Sequence, residues 1–124
     1  MYKRSVSGVG GKGKSAWKKR WVVIHNAVLS YYAKKGDSKP KGTIELSIVD
    51  EKDKVLIHVI DNGKGIPKHL VNRIFQPGVT TKKRGWGLGL SLCRRIIEDY
   101  HKGSIQVRST AENKGTHFEI ALKR

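Results

Sequence analysis

Cysteine, acid and long apolar runs are all scarce in this chain. A single cysteine, Cys93, excludes an internal disulfide framework, and its apolar neighbours predict a thiol packed inside as a small hydrophobe. No apolar run approaches the roughly 18 residues of a membrane-crossing helix. Met1-Tyr2-Lys3-Arg4 leads into no apolar stretch of signal-peptide type, so a soluble, intracellular or recombinantly expressed protein is expected. Only 10 acidic residues stand against 26 basic ones, a net charge of +16, and such a field attracts nucleic acid, anionic lipid and nucleotide alike. The cations lie in both halves, without zinc-finger spacing or an RNA-recognition signature, which favours a generally cationic surface over a specific nucleic-acid site. Five scattered histidines show no spacing for a metal or an activated nucleophile. No catalytic residue and no metal ligand is named.

What is present suffices for one core. A length of 124 residues with 37% hydrophobic content suits a single domain and argues against disorder. Residues 18–24 and 28–33 are rich in Trp, Val, Ile and Tyr, and they flank His25-Asn26-Ala27, which predicts a hairpin. Ile44, Leu46 and Ile48 alternate with Thr43, Glu45 and Ser47 as in a half-buried strand, and residues 51–54 read as a turn. Residues 55–60 are nearly all apolar, as in a strand covered on both faces. Pro67 opens a short helix to Phe75. Leu88, Leu92, Ile96 and Tyr100 recur every four residues, joined by Cys93 and Ile97, and predict the buried face of a second helix that Gly103 ends in a left-handed conformation. Strands at 104–109 and 116–122 follow, with a turn at 112–115. The expected class is α+β, two layers, with an antiparallel or mixed sheet and about two helices on one face.

Asp61-Asn62-Gly63-Lys64-Gly65-Ile66-Pro67 puts a carboxylate and two glycines where a strand hands over to a helix. Further on come Ile74-Phe75-Gln76-Pro77, Thr80-Thr81-Lys82 and Gly85-Trp86-Gly87-Leu88-Gly89-Leu90. Glycines at a helix start let backbone N–H groups approach phosphate oxygens. In this order, and with Gly115-Thr116-x-Phe118 closing the set, the motifs resemble the histidine-kinase, gyrase and Hsp90 type of ATPase, most of all a sensor histidine kinase. The resemblance implies that Asp61 accepts the adenine amino proton and that Gly63 and Gly65 let the ring approach. It implies that Phe75 begins a mobile lid carrying Thr80, Thr81 and Lys82, and that Gly85, Gly87, Leu88, Gly89 and Leu90 cradle the phosphates. For Phe75 core packing is the competing reading, and for Lys82 and Lys83 simple solvation. The family also carries an Asn on an upstream helix that holds magnesium, and a separate helical pair with the phosphorylated His. Asn26 lies among β-branched and aromatic residues that favour a strand, so magnesium is not expected to be well held. On that ground the chain is expected not to be an enzyme and to require no cofactor, with residual ATP or ADP binding as an alternative.

Residues 11–47 carry a second resemblance. Trp17-Lys18-Lys19-Arg20-Trp21-Val22-Val23, Val28-Leu29-Ser30-Tyr31-Tyr32 and the strand through Thr43-Ile44-Glu45-Leu46 are similar to the first strands of a pleckstrin-homology domain. It implies phosphoinositide or anionic-membrane binding through Lys12, Lys14, Lys18 and Arg20, with Lys18 and Arg20 on one strand face. The domain division expected is therefore residues 1–47 of pleckstrin-homology type and 48–124 of histidine-kinase type, fused into one domain. Such a junction suggests an engineered chimera without a native function, and an unpaired sheet edge makes a dimer possible.

Overall fold

Among the described residues seven strands follow one another, interrupted by helix once, between the fifth and the sixth. The computed structural model describes the backbone of residues 2–6 and all of residues 20–82 and 85–124. Strands β1 (Tyr2–Val6), β2 (Arg20–His25), β3 (Val28–Tyr32), β4 (Gly42–Asp50) and β5 (Lys54–Asp61) form a meander. Helix α1 (Lys68–Val71) and helix α2 (Gly89–Arg95) come next, α2 running on into a π-helical turn, Ile96–Tyr100. The chain closes with β6 (Ser104–Ala111) and β7 (Gly115–Lys123). All pairs are antiparallel in the order β1-β2-β3-β4-β5-β7-β6. The fold is the α+β, two-layer arrangement expected.

Turn chemistry sets the register. Asn26 and Ala27 both take positive φ, 47° and 62°, the geometry of a two-residue hairpin whose twist matches its strands. Glu51 N–H donates to the Lys54 carbonyl (2.9 Å) and closes the β4–β5 turn. Val59 faces Leu46 on one side and Phe118 on the other, so these three share one face of the sheet. Phe75 meets Phe118 edge to face at 6.4 Å, and the Ile97 side chain lies with that of Leu122 beside Gly103. The helices thus cover that face over β5, β7 and β6. Ile74 and Ile97 are the buried hydrophobic residues of this core.

The core differs from the expectation in several places. Leu88, Leu92, Ile96 and Tyr100 are all exposed, and Ile97 alone of the predicted face is buried, because α2 meets the sheet along one line while its apolar residues span a wider arc. Ile44, Leu46 and Ile48 share the helix-bearing face yet are exposed, since among the described residues no helix lies over β4. No residue of β5 is fully buried either. Cys93 is exposed rather than packed inside. Lys102, not Gly103, takes the left-handed conformation after the second helix (φ 54°). The first helix stops at Val71; Arg73 and Gln76 N–H groups bond three residues back, to Leu70 and Arg73, and the chain proceeds as tight turns.

Candidate functional site

At the end of β5 the chain is pinned on both sides. Asn62 Oδ1 accepts from Thr43 N–H (2.8 Å), which fastens the turn to β4. Asp61 Oδ1 accepts from Gly63 N–H (2.8 Å), a local Asx turn that still leaves carboxylate lone pairs for a ligand. Ile66 N–H donates to Thr110 Oγ1 (2.9 Å), which in turn lies 3.0 Å from Thr116 Oγ1. Thr116 is buried and pairs directly with Asp61 across β5 and β7. Gly65 has φ +74°, and a Cβ there would meet the Ala111 carbonyl oxygen, so only glycine fits where the turn crosses the β6–β7 connection.

Three clefts surround this turn and the glycine-rich segment. Asp61, Thr110 and Thr116 line one of about 210 Å³. Gly65, Thr80, Thr81, Lys82 and Leu90 line a second of about 190 Å³, whose wall is completed by Ile66, Leu70, Ile74 and Val79. The third, about 380 Å³, holds Thr80, Lys82, Gly85, Gly87, Leu88, Gly89 and Leu90, with Trp86 at its rim. Val79, Thr80, Lys82 and Leu90 belong to both of the last two, which therefore adjoin. Gly78 N–H donates to the Gly87 carbonyl (2.9 Å), which joins the residues after Phe75 to the glycine turn, and Lys82 N–H donates to Thr80 Oγ1 (3.0 Å).

The structure gathers Gly65, Thr80, Thr81, Lys82, Gly85, Gly87, Leu88, Gly89 and Leu90 around two adjoining clefts, and sets Asp61 on a separate one. Gly63 lines none of the three; its N–H is spent on Asp61. Phe75 also lines none of them and packs against Phe118, with the Arg94 guanidinium 5.7 Å from its ring. Lys64, Thr110 and the apolar wall Ile66, Leu70, Ile74 and Val79 escaped the sequence reading. Only the hydroxyl of Thr116, quoted there as part of a closing strand, carried a signal that could have been followed. Lys83 and the basic residues Lys12, Lys14 and Lys18 lie outside the described residues, while Arg20 opens β2.

Asn26 occupies the β2–β3 turn, next to β4, where Leu46 N–H donates to the Ala27 carbonyl (2.9 Å). Among the described residues no group of three His, Cys, Asp or Glu side chains fits a metal ion. On the sheet face away from the helices, His58 Nδ1 and His117 Nε2 lie 2.9 Å apart, and Gln106 Nε2 donates to Glu119 Oε1 (2.8 Å). His117 of that cluster also lines the cleft that holds Asp61.

Residues 21–124 match the family of histidine kinase-, DNA gyrase B- and HSP90-like ATPases. The chain belongs to that family. It is 34% identical over 101 residues to the nitrogen regulation protein NtrY of Azorhizobium caulinodans, covering 82% of this chain and 13% of that protein. It is 43% identical over 103 residues to sporulation kinase A of Bacillus subtilis, covering 82% and 15%. The solved catalytic domain of the histidine kinase ThkA, nucleotide-free, superposes with a TM-score of 0.57 at 42% identity, over 68% of this chain and 54% of that one. The chain thus spans a small part of the curated relatives it matches.

Two expectations are revised. The expectation that the chain is not an enzyme is overturned, because the family is one of ATPases and its relatives are kinases. The reading of an engineered chimera with a pleckstrin-homology part gains no support: the family match starts at residue 21, runs through Ser47 without a break, and Ser47 itself lies in the middle of β4. Phospholipid binding and a dimer likewise find no support. No helix among the described residues is long and apolar enough to cross a membrane.

Proposed function

We propose that this chain is the ATP-binding part of a sensor histidine kinase, with ATP as its substrate and ADP as product. The observation that carries the reading is the pair of adjoining clefts. One has apolar walls from Ile66, Leu70, Ile74 and Val79, the other is built from the glycine turn of residues 85–90, and Lys82 borders both. A flat base with an anionic tail needs that combination of apolar wall, side-chain-free backbone and cation. Asp61, on its own cleft with Thr116, supplies the carboxylate that accepts the adenine amino proton. Backbone N–H groups of the glycine turn receive the phosphates, where no Cβ intrudes: around Gly89 the space a side chain would take is open. Lys82 places positive charge beside the phosphates, in a chain whose net charge of +16 already draws anions toward it. Phosphoryl transfer depends mainly on such positioning and charge neutralisation. As in the kinases it resembles, the site would present the terminal phosphoryl group to a histidine.

Isothermal calorimetry of the purified chain with ADP tests the reading. Binding that weakens in Asp61→Asn while urea unfolding stays unchanged supports it. Failure of the wild-type chain to bind ADP at millimolar concentration overturns it.

A further inference from the structure

We infer that Lys64 is an exchangeable latch of the nucleotide site, closing the lid through Thr81 when the site is empty and passing to the nucleotide phosphates when it is filled. The inference rests on the nucleotide reading above. Lys64 stands between Gly63 and Gly65, and its backbone is held in place: its carbonyl accepts from Asn113 N–H (2.8 Å), and Gly65 is packed on the Ala111 carbonyl. From that fixed root the ammonium donates to Thr81 Oγ1 (2.6 Å), the contact that joins the turn at the end of β5 to the lid. Lys64, Gly65, Pro67 and Thr81 all line both the 190 Å³ cleft and a further one of about 260 Å³ bordered by Glu112 and Asn113. The Lys64–Thr81 contact is thus part of the wall shared by two cavities, and parting it joins them.

The chemistry of the contact makes it exchangeable. Lys64 carries a full charge and three donors, and Thr81 offers it a neutral oxygen. Among the described residues no carboxylate forms an ion pair with Lys64. A phosphate oxygen adds a full opposite charge to a bond that, with Thr81, carries charge on the donor alone. The remainder of the lid is tied independently, at Gly78 to Gly87 and at Thr80 to Lys82, so release of Thr81 frees the tip without unravelling its base. Phosphate is therefore both ligand and key: a nucleoside without it leaves the latch closed.

The test is calorimetry with ADP and with adenosine on the wild type and on Thr81→Val, Lys64→Met and Lys64→Arg, each checked for an unchanged urea transition. The ratio of ADP to adenosine affinity is expected to rise about threefold in Thr81→Val, where the ammonium no longer has a competing partner. It is expected to fall about tenfold in Lys64→Met and to recover in part in Lys64→Arg. Backbone relaxation of residues 79–82 without nucleotide is expected to show faster motion in Lys64→Met than in the wild type. An unaltered ratio in Thr81→Val and Lys64→Met, with ADP still binding the wild type, overturns the latch and leaves the nucleotide site standing. Loss of ADP binding by the wild type itself overturns both.

Discussion

Gly87→Ala separates the lid from the sheet more cleanly than any other single change. Gly87 has φ +65°, a left-handed conformation that costs a residue with a Cβ about 1–2 kcal/mol. The added Cβ would sit 2.5 Å from the Gly78 carbonyl carbon and 2.8 Å from Val79 N, so backbone must move, and the move breaks the Gly78 N–H bond to the Gly87 carbonyl. Losing that bond adds about 0.5–1.5 kcal/mol. The sum is about 1.5–3.5 kcal/mol, centred near 2–3 kcal/mol, but it falls on the loop whose ends that backbone bond joins. The chain can escape it by opening residues 78–87 while the seven-stranded sheet stays intact. Urea unfolding followed by circular dichroism is therefore expected to lose less than about 1 kcal/mol, and calorimetric ADP affinity to fall about thirty- to a hundredfold as the glycine turn loses its shape. A variant that loses its full 2–3 kcal/mol of global stability and still binds ADP as the wild type does would refute the placement of the turn in the site.

Other substitutions probe other links. Asp61→Asn keeps an oxygen for Gly63 N–H but loses the charged acceptor for the adenine amino group, so ADP affinity measured by calorimetry is expected to drop about tenfold or more with no change in the urea midpoint. Ile97→Ala is expected to cost about 2–4 kcal/mol in urea unfolding, whereas Leu92→Ser, at a position 57% exposed, is expected to stay within about 0.5 kcal/mol. Equal losses from the two would show that the helix packs by the other face. Phe75→Ala removes the edge-to-face contact with Phe118 and the partner of Arg94; a loss of about 2–3 kcal/mol with ADP affinity little altered is expected if Phe75 serves packing, and the reverse pattern if it serves the lid.

Local chemistry made most of the fold legible in the sequence. Asn26 between two β-branched runs, alternation through Ile44, Leu46 and Ile48, and the glycines at 63, 65 and 115 each determine a turn or a strand within a few residues of themselves. The burial pattern was not legible by the same means. Leu88, Leu92 and Ile96 keep a helical period whether or not anything lies against them, and periodicity identifies an apolar face without showing how wide a contact covers it. The glycine turn and lid were readable because their residue types are demanded by backbone geometry, as Gly65 and Gly87 show. Lys64 and Thr110 were not, since a lysine in a turn and a threonine in a strand are ordinary until the register brings them to Thr81 and Ile66. Asn26 illustrates the opposite case: its place in a hairpin turn follows from the β-branched residues on either side.

An amide-resolved NMR titration of the chain with ADP bears on the central claim most directly. Saturable shifts confined to Asp61, Gly63, residues 79–82 and residues 85–90, with β1 to β3 unmoved, are the expected result and would place an adenine nucleotide between the Asp61 turn and the adjoining clefts. A well-dispersed spectrum that stays unchanged up to millimolar ADP, or one whose shifts scatter over the cationic surface without saturating, would contradict it.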